Sequence, residues 1–124
     1  MFFKISNKVE SNYPCNYKLP NGNFLNCDLG WKQDGSVFYK GYTLEVKSTK
    51  DVINELRIDP TPKHKGNFVL ILCDNEYTTI THNVHRCFPL QYNEHCVTNL
   101  EKIFTPVWAD AYLKIDKNLK NVNK

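Results

Sequence analysis

Residues 68–82 read FVLILCDNEYTTITH, and this stretch decides the fold class. The apolar run of residues 68–73 is short and bounded by turn-forming residues, as expected of a strand buried on both faces. Asp74, Asn75 and Glu76 supply a turn. Residues 77–82 then alternate with heavy β-branching, so the two runs predict an antiparallel hairpin.

Working outward, residues 37–46 (VFYKGYTLEV) form a further strand signal, with Gly41 marking a bulge or a close backbone approach. Ser48 followed by Asp51 is a capping-box-like helix start. Val52, Ile53 and Leu56 fall on one face of a short helix that must stop before Pro60. The two-proline stretch 59–67 is a stiff connection into the hairpin. Residues 1–6 (MFFKIS) predict a strand, and residues 12–35 read as loops with a brief strand at 23–27, anchored by Trp31. Residues 111–115 (AYLKI) are the last strand signal. The pattern predicts an α+β fold of mostly antiparallel sheets with few helices. One globular domain is expected over residues 1–115, followed by a frayed basic tail over residues 116–124.

The chain has 124 residues, 41% hydrophobic and 23% charged, which suits one ordinary domain and excludes collagen, coiled coil and wholesale disorder. Its longest apolar run is far too short for a membrane span, so no membrane partner is expected. The net charge of +3 comes chiefly from lysine, and Arg57 and Arg86 are the arginines. Guanine and phosphate are usually read by the arginine fork, so a nucleic-acid partner is disfavoured. Cys15, Cys27, Cys73, Cys87 and Cys96 are irregularly spaced, and the start lacks a signal-peptide pattern. Reduced thiols in a cytoplasm are expected. The abundance of Asn and Lys points to AT-rich coding, as in a viral or marine microbial genome.

His82, His85, Cys87, His95 and Cys96 are ligand types that suit zinc, although their spacing fits no standard knuckle. The plainer expectation is hairpin-end polar residues and buried thiols, with no cofactor. Cys87 with His85 or His95 could form a thiolate–imidazole pair. Cys73 is expected to be a core thiol. Lys63, His64 and Lys65 make a cationic loop beside two prolines that could meet phosphate or nucleic acid, while the ordinary reading is a solvated charged face.

Residues 66–92, GNFVLILCDNEYTTITHNVHRCFPLQY, carry a further pattern in Gly66, Phe68, Asp74, Arg86, Pro89, Leu90 and Tyr92. This pattern resembles the class II glutamine amidotransferases, especially the glutaminase domain of asparagine synthetase. The resemblance implies a reduced N-terminal-nucleophile hydrolase sandwich, with Arg86 and Asp74 as ligand-binding candidates. A structural ion pair of Arg86 with Asp74 or Asp110 is the alternative for those residues. The family's nucleophile is an N-terminal cysteine, and Phe2 stands in its place. Segments of the Arg-Gly-Pro-Asp and Asn-Gly-Glu type are missing too. The expectation is therefore a non-catalytic homologue, a pseudoenzyme that binds a protein partner or small molecule. Two alternatives stand beside it: an active cysteine-dependent amidohydrolase after processing that exposes Cys15, and a small basic nucleic-acid-binding protein.

Overall fold

The computed structural model describes residues 2–43, 48–59, 66–83, 90–99, 107–108 and 112–122. In chain order the elements are β1 (Phe3–Ser6), β2 (Cys15–Lys18), β3 (Phe24–Cys27), β4 (Lys32–Asp34), β5 (Val37–Thr43) and α1 (Thr49–Ile58). Then follow β6 (Gly66–Cys73), β7 (Tyr77–Asn83), β8 (Gln91–Tyr92), β9 (Cys96–Thr98), β10 (Val107–Trp108) and β11 (Tyr112–Asp116). They form two antiparallel sheets. Sheet A has the order β10-β8-β9-β1-β3-β2, and sheet B the order β11-β7-β6-β5-β4. The fold is α+β, mostly antiparallel, with one helix among the described residues.

The period of two along each strand sorts side chains into layers. On β6, Val69 and Ile71 join Phe38, Ile80, Leu113 and Ile115 of sheet B in a core shared with Phe3, Ile5, Leu25, Cys27 and Val97 of sheet A. The intervening Phe68 and Leu70 point the other way, where with Val37 and Tyr39 they pack against Val52 and Leu56 of α1. Strand β6 is thus covered on both sides, which is why its sequence is an unbroken apolar run. The helix starts where the capping signal places it: Ser48 Oγ accepts from the Asp51 N–H at 3.1 Å, and Asp59 closes the far end.

Gly41 lies within an uninterrupted register opposite Phe68, so it is a close approach and no bulge. With φ +123°, a β-carbon there would stand 2.1 Å from the Asn67 carbonyl oxygen and 2.5 Å from Phe68 Cα. Only glycine fits that position. Trp31 does anchor the stretch after β3: its indole N–H donates to Asp28 at 2.7 Å, and its ring meets Phe3 edge-on.

Three regions depart from the sequence expectation. The stretch read as loops also carries β2 and β4, short strands of polar composition that gain their order from pairing with β3 and β5. Beyond the hairpin, β8, β9 and β10 extend sheet A in pieces of two or three residues, too short to show a period. The expected frayed tail is corrected over residues 116–122. There Asp116 Oδ1 accepts from the Asn118 and Lys120 N–H groups, Val122 N–H donates to Lys114 O, and Leu119 turns into the core at 5% exposure. Turn hydrogen bonds and one buried apolar side chain together hold this polar segment. Among the described residues no helix is long and apolar enough to cross a membrane.

Candidate functional site

Among the described residues the sequence candidates do not converge. His82 lies on β7 opposite Val69, is 8% exposed and belongs to sheet B. His95 sits in the β8–β9 turn of sheet A, exposed, with Nε2 3.3 Å from Glu94. Cys96 is buried on β9 opposite Ser6. Among the described residues no three His, Cys, Asp or Glu side chains gather as a metal would require. His85, Arg86 and Cys87 lie outside the described residues, as do Lys63, His64, Lys65, Pro89 and Asp110. Asp74 is the hairpin-turn residue: its Oδ1 accepts from the Tyr77 N–H at 2.7 Å and the Glu76 N–H at 2.8 Å. Those hydrogen bonds hold its carboxyl below the usual carboxylate range, which is turn chemistry.

The thiols divide in the same way. Burial pushes Cys73 up to about 12, with Asp74 adding to the rise against a lowering hydrogen bond from Thr78. The thiol is held protonated at neutral pH, and Cys73 is half-buried against the core, short of the core thiol expected. Cys27 is fully buried and likewise pushed up to about 12, first by burial and then by Cys15 and Asp28.

Two clefts remain. The larger, about 540 Å³, opens between the end of β1, the β8–β9 turn and the segment after β11. Lys4, Lys8 and Lys117 line it, but Glu10 sits 2.8 Å from Lys4 and 4.0 Å from Lys8, and Glu94 adds a second carboxylate. Its charges are largely answered from within.

The smaller, about 270 Å³, is a groove between edge strand β4 and helix α1. Its construction follows from two local patterns. Lys50, Ile53, Asn54 and Arg57 recur at i, i+3, i+4 and i+7, which puts all four on one side of the helix. Strand β4 is exposed along its whole length and pairs on one side with β5. The floor is apolar, made by Val37, Tyr39 and Ile53, and the rim carries Lys32, Lys50 and Arg57 against Asp34. None of those three cations has an ion-pair or hydrogen-bond partner among the described residues. Lys50 stands in the first helical turn, where the helix dipole disfavours a cation, so helix stability does not explain it. Arg57 in the last turn suits the dipole.

Sequence reasoning passed over this groove. The helical spacing of Lys50, Ile53 and Arg57 was available as a signal. The facing strand was not, because three polar residues show no period. The comparisons add no relative: no family model, curated protein or solved structure matches the chain.

Proposed function

We propose that the chain is a non-catalytic binding module that takes an acidic, extended peptide segment of a protein partner along β4 and α1. One observation carries this reading: among the described residues, three cations with no partner surround an apolar floor beside a strand edge that pairs on one side alone. An added strand would draw main-chain hydrogen bonds from β4. Every second side chain of that strand would face α1, where carboxylates would meet Lys32, Lys50 and Arg57 over the apolar floor. The glutaminase kinship remains part of the proposal and rests on the residue pattern alone. Stacked antiparallel sheets support it, and so does the β6–β7 hairpin, Gly66 to Asn83, within sheet B.

The test is fluorescence anisotropy with a labelled peptide of alternating Glu and Val. Binding should weaken steeply with salt, and Lys50→Glu with Arg57→Glu should lower affinity by at least about tenfold. Lys120→Glu, on the turn after β11, should leave affinity unchanged. Binding insensitive to the groove reversals would overturn the site. Tighter retention of single-stranded DNA than of peptide would overturn the partner class. Release of ammonia from glutamine above the buffer blank would overturn the non-catalytic reading.

A further inference from the structure

Cys15 and Cys27 face each other directly across the β2–β3 pair. The kind of pair follows from the ladder. Leu19 N–H donates to Asn23 O at 2.8 Å, which makes Leu19 and Asn23 a hydrogen-bonded pair. Such pairs alternate along an antiparallel ladder, so Tyr17 with Leu25 and Cys15 with Cys27 are of the same kind. Asp28 N–H donating to Phe2 O fits this phase, since Asp28 then turns to β1 and Cys27 to β2. Directly opposed residues of this kind have Cα atoms about 5.5 Å apart, inside the range of about 4.4–6.8 Å that a disulfide spans. Both thiols are free.

The pair is asymmetric. Cys27 is fully buried, whereas Cys15 is half-buried on a strand at the edge of sheet A. Of the two residues, Cys15 is the more accessible.

We propose that Cys15 and Cys27 form a reversible peroxide-sensing dithiol, with Cys15 as the attacked sulfur and Cys27 as the resolving one. Cys15 Sγ, as thiolate, attacks one oxygen of a hydroperoxide such as hydrogen peroxide. The O–O bond breaks, and the departing hydroxide takes a proton to become water, leaving Cys15 as a sulfenic acid. Cys27 Sγ then gives up its proton and attacks Cys15 Sγ. The S–O bond breaks, and the oxygen leaves with that proton as a second water. Two thiols and one peroxide thus become one disulfide and two waters. The high proton affinity of the buried Cys27 thiol keeps it inert until its neighbour is oxidised. Closing the bond staples edge strand β2 to β3, and an external thiol reopens it by exchange at the accessible Cys15 sulfur.

The experiment is intact-mass and peptide mapping of the whole protein after mild hydrogen peroxide. The mass should fall by about 2 Da, the two hydrogens of the thiols. Trypsin should yield one linked species joining the peptide of residues 9–18 to that of residues 19–32, released by dithiothreitol. Cys73→Ser should behave as wild type. Cys15→Ser should lose both the mass change and the linked peptide. A disulfide joining any other pair would overturn the proposal, as would oxygen addition with no loss of hydrogen. The mapping uses the unaltered chain, so it decides the matter even where Cys27→Ser fails to fold.

Discussion

The two sheets cover their outward faces by opposite means. On sheet B, α1 lies over Val37, Tyr39, Phe68 and Leu70 and buries Val52 and Leu56, so the cover is apolar and non-directional. On sheet A, Lys4, Ser6, Asn16 and Asn26 point outward and hold the segment 7–10 against them: Lys4 pairs with Glu10, Ser6 Oγ donates to Lys8 O, Asn16 Nδ2 donates to Glu10 O, and Asn26 makes the most bonds. Asn26 is fully buried; its Oδ1 accepts from Glu10 N–H at 2.9 Å and from Asn16 Nδ2, and its Nδ2 donates to Lys4 O at 3.2 Å and Lys8 O at 3.3 Å. The apolar cover tolerates many sequences of the right volume. The polar one demands this amide, because each lost partner leaves a buried group unsatisfied.

The largest expected effect breaks the apolar side at its tightest point. Gly41→Ala drives a β-carbon into the Asn67 carbonyl and the Phe68 backbone at the centre of sheet B. It should cost more than about 4 kcal/mol or abolish folding. Gly35→Ala is the control: its φ is +60° and nothing lies within 4 Å of the added carbon. A loss of about 1–2 kcal/mol is expected there, from the left-handed backbone alone. Urea midpoints measure both, and equal losses would show that backbone conformation rather than contact governs Gly41.

Asn26→Ala comes next and tests the polar side. Removing the amide strands the Glu10 N–H and takes one donor each from Lys4 O and Lys8 O, the latter keeping Ser6 Oγ, at a cost of about 2–3 kcal/mol. Hydrogen exchange sharpens the comparison. Protection at the Glu10 amide should collapse in Asn26→Ala while the α1 amides keep theirs, and Leu56→Ala should do the reverse. Loss of protection in both places from either change would mean that the two covers are one cooperative unit.

The same contrast explains what the sequence discloses. The β6–β7 hairpin, the Ser48 cap and the Gly41 approach were legible because their causes are local: an apolar period, a hydroxyl three residues before an N–H, a glycine inside a strand. Sheet A was mostly hidden, because its order comes from partners far along the chain. Asn99 Oδ1 accepts from Phe3 N–H at 2.9 Å, and Thr98 Oγ1 donates to Phe3 O at 2.8 Å, both across more than ninety residues. The groove was half legible for the same reason: its helix face is written in the spacing of Lys50, Ile53 and Arg57, while β4 exists by pairing with β5. The Cys15–Cys27 contact is a register fact, which no spacing of cysteines states.

The smallest expected effect concerns the polar tie between the sheets. Asp28, just after β3, accepts from Lys40 Nζ of β5 at 2.7 Å, from Trp31 Nε1 at 2.7 Å and from Phe2 N–H at 3.0 Å. Burial alone would raise its carboxyl, but these donors outweigh burial and hold it down at about 2. A carboxyl held below its unfolded value of about 3.9 stabilises the fold fully above that pH, and the contribution is lost as pH falls through about 2. The shift corresponds to about 2 kcal/mol for this mostly buried group. Asp74 is lowered as well and titrates in the same direction, so acid sensitivity of the wild type alone does not isolate Asp28. The difference between wild type and Asp28→Asn does. Urea midpoints should separate the two chains near neutral pH and converge toward about pH 2, where Asp28 is protonated and no longer an anion for Lys40. A gap that stays constant across this range would assign the tie to shape and neutral hydrogen bonding. A gap that closes assigns it to charge, and the bond between the sheets is then electrostatic where the α1 cover of sheet B is apolar.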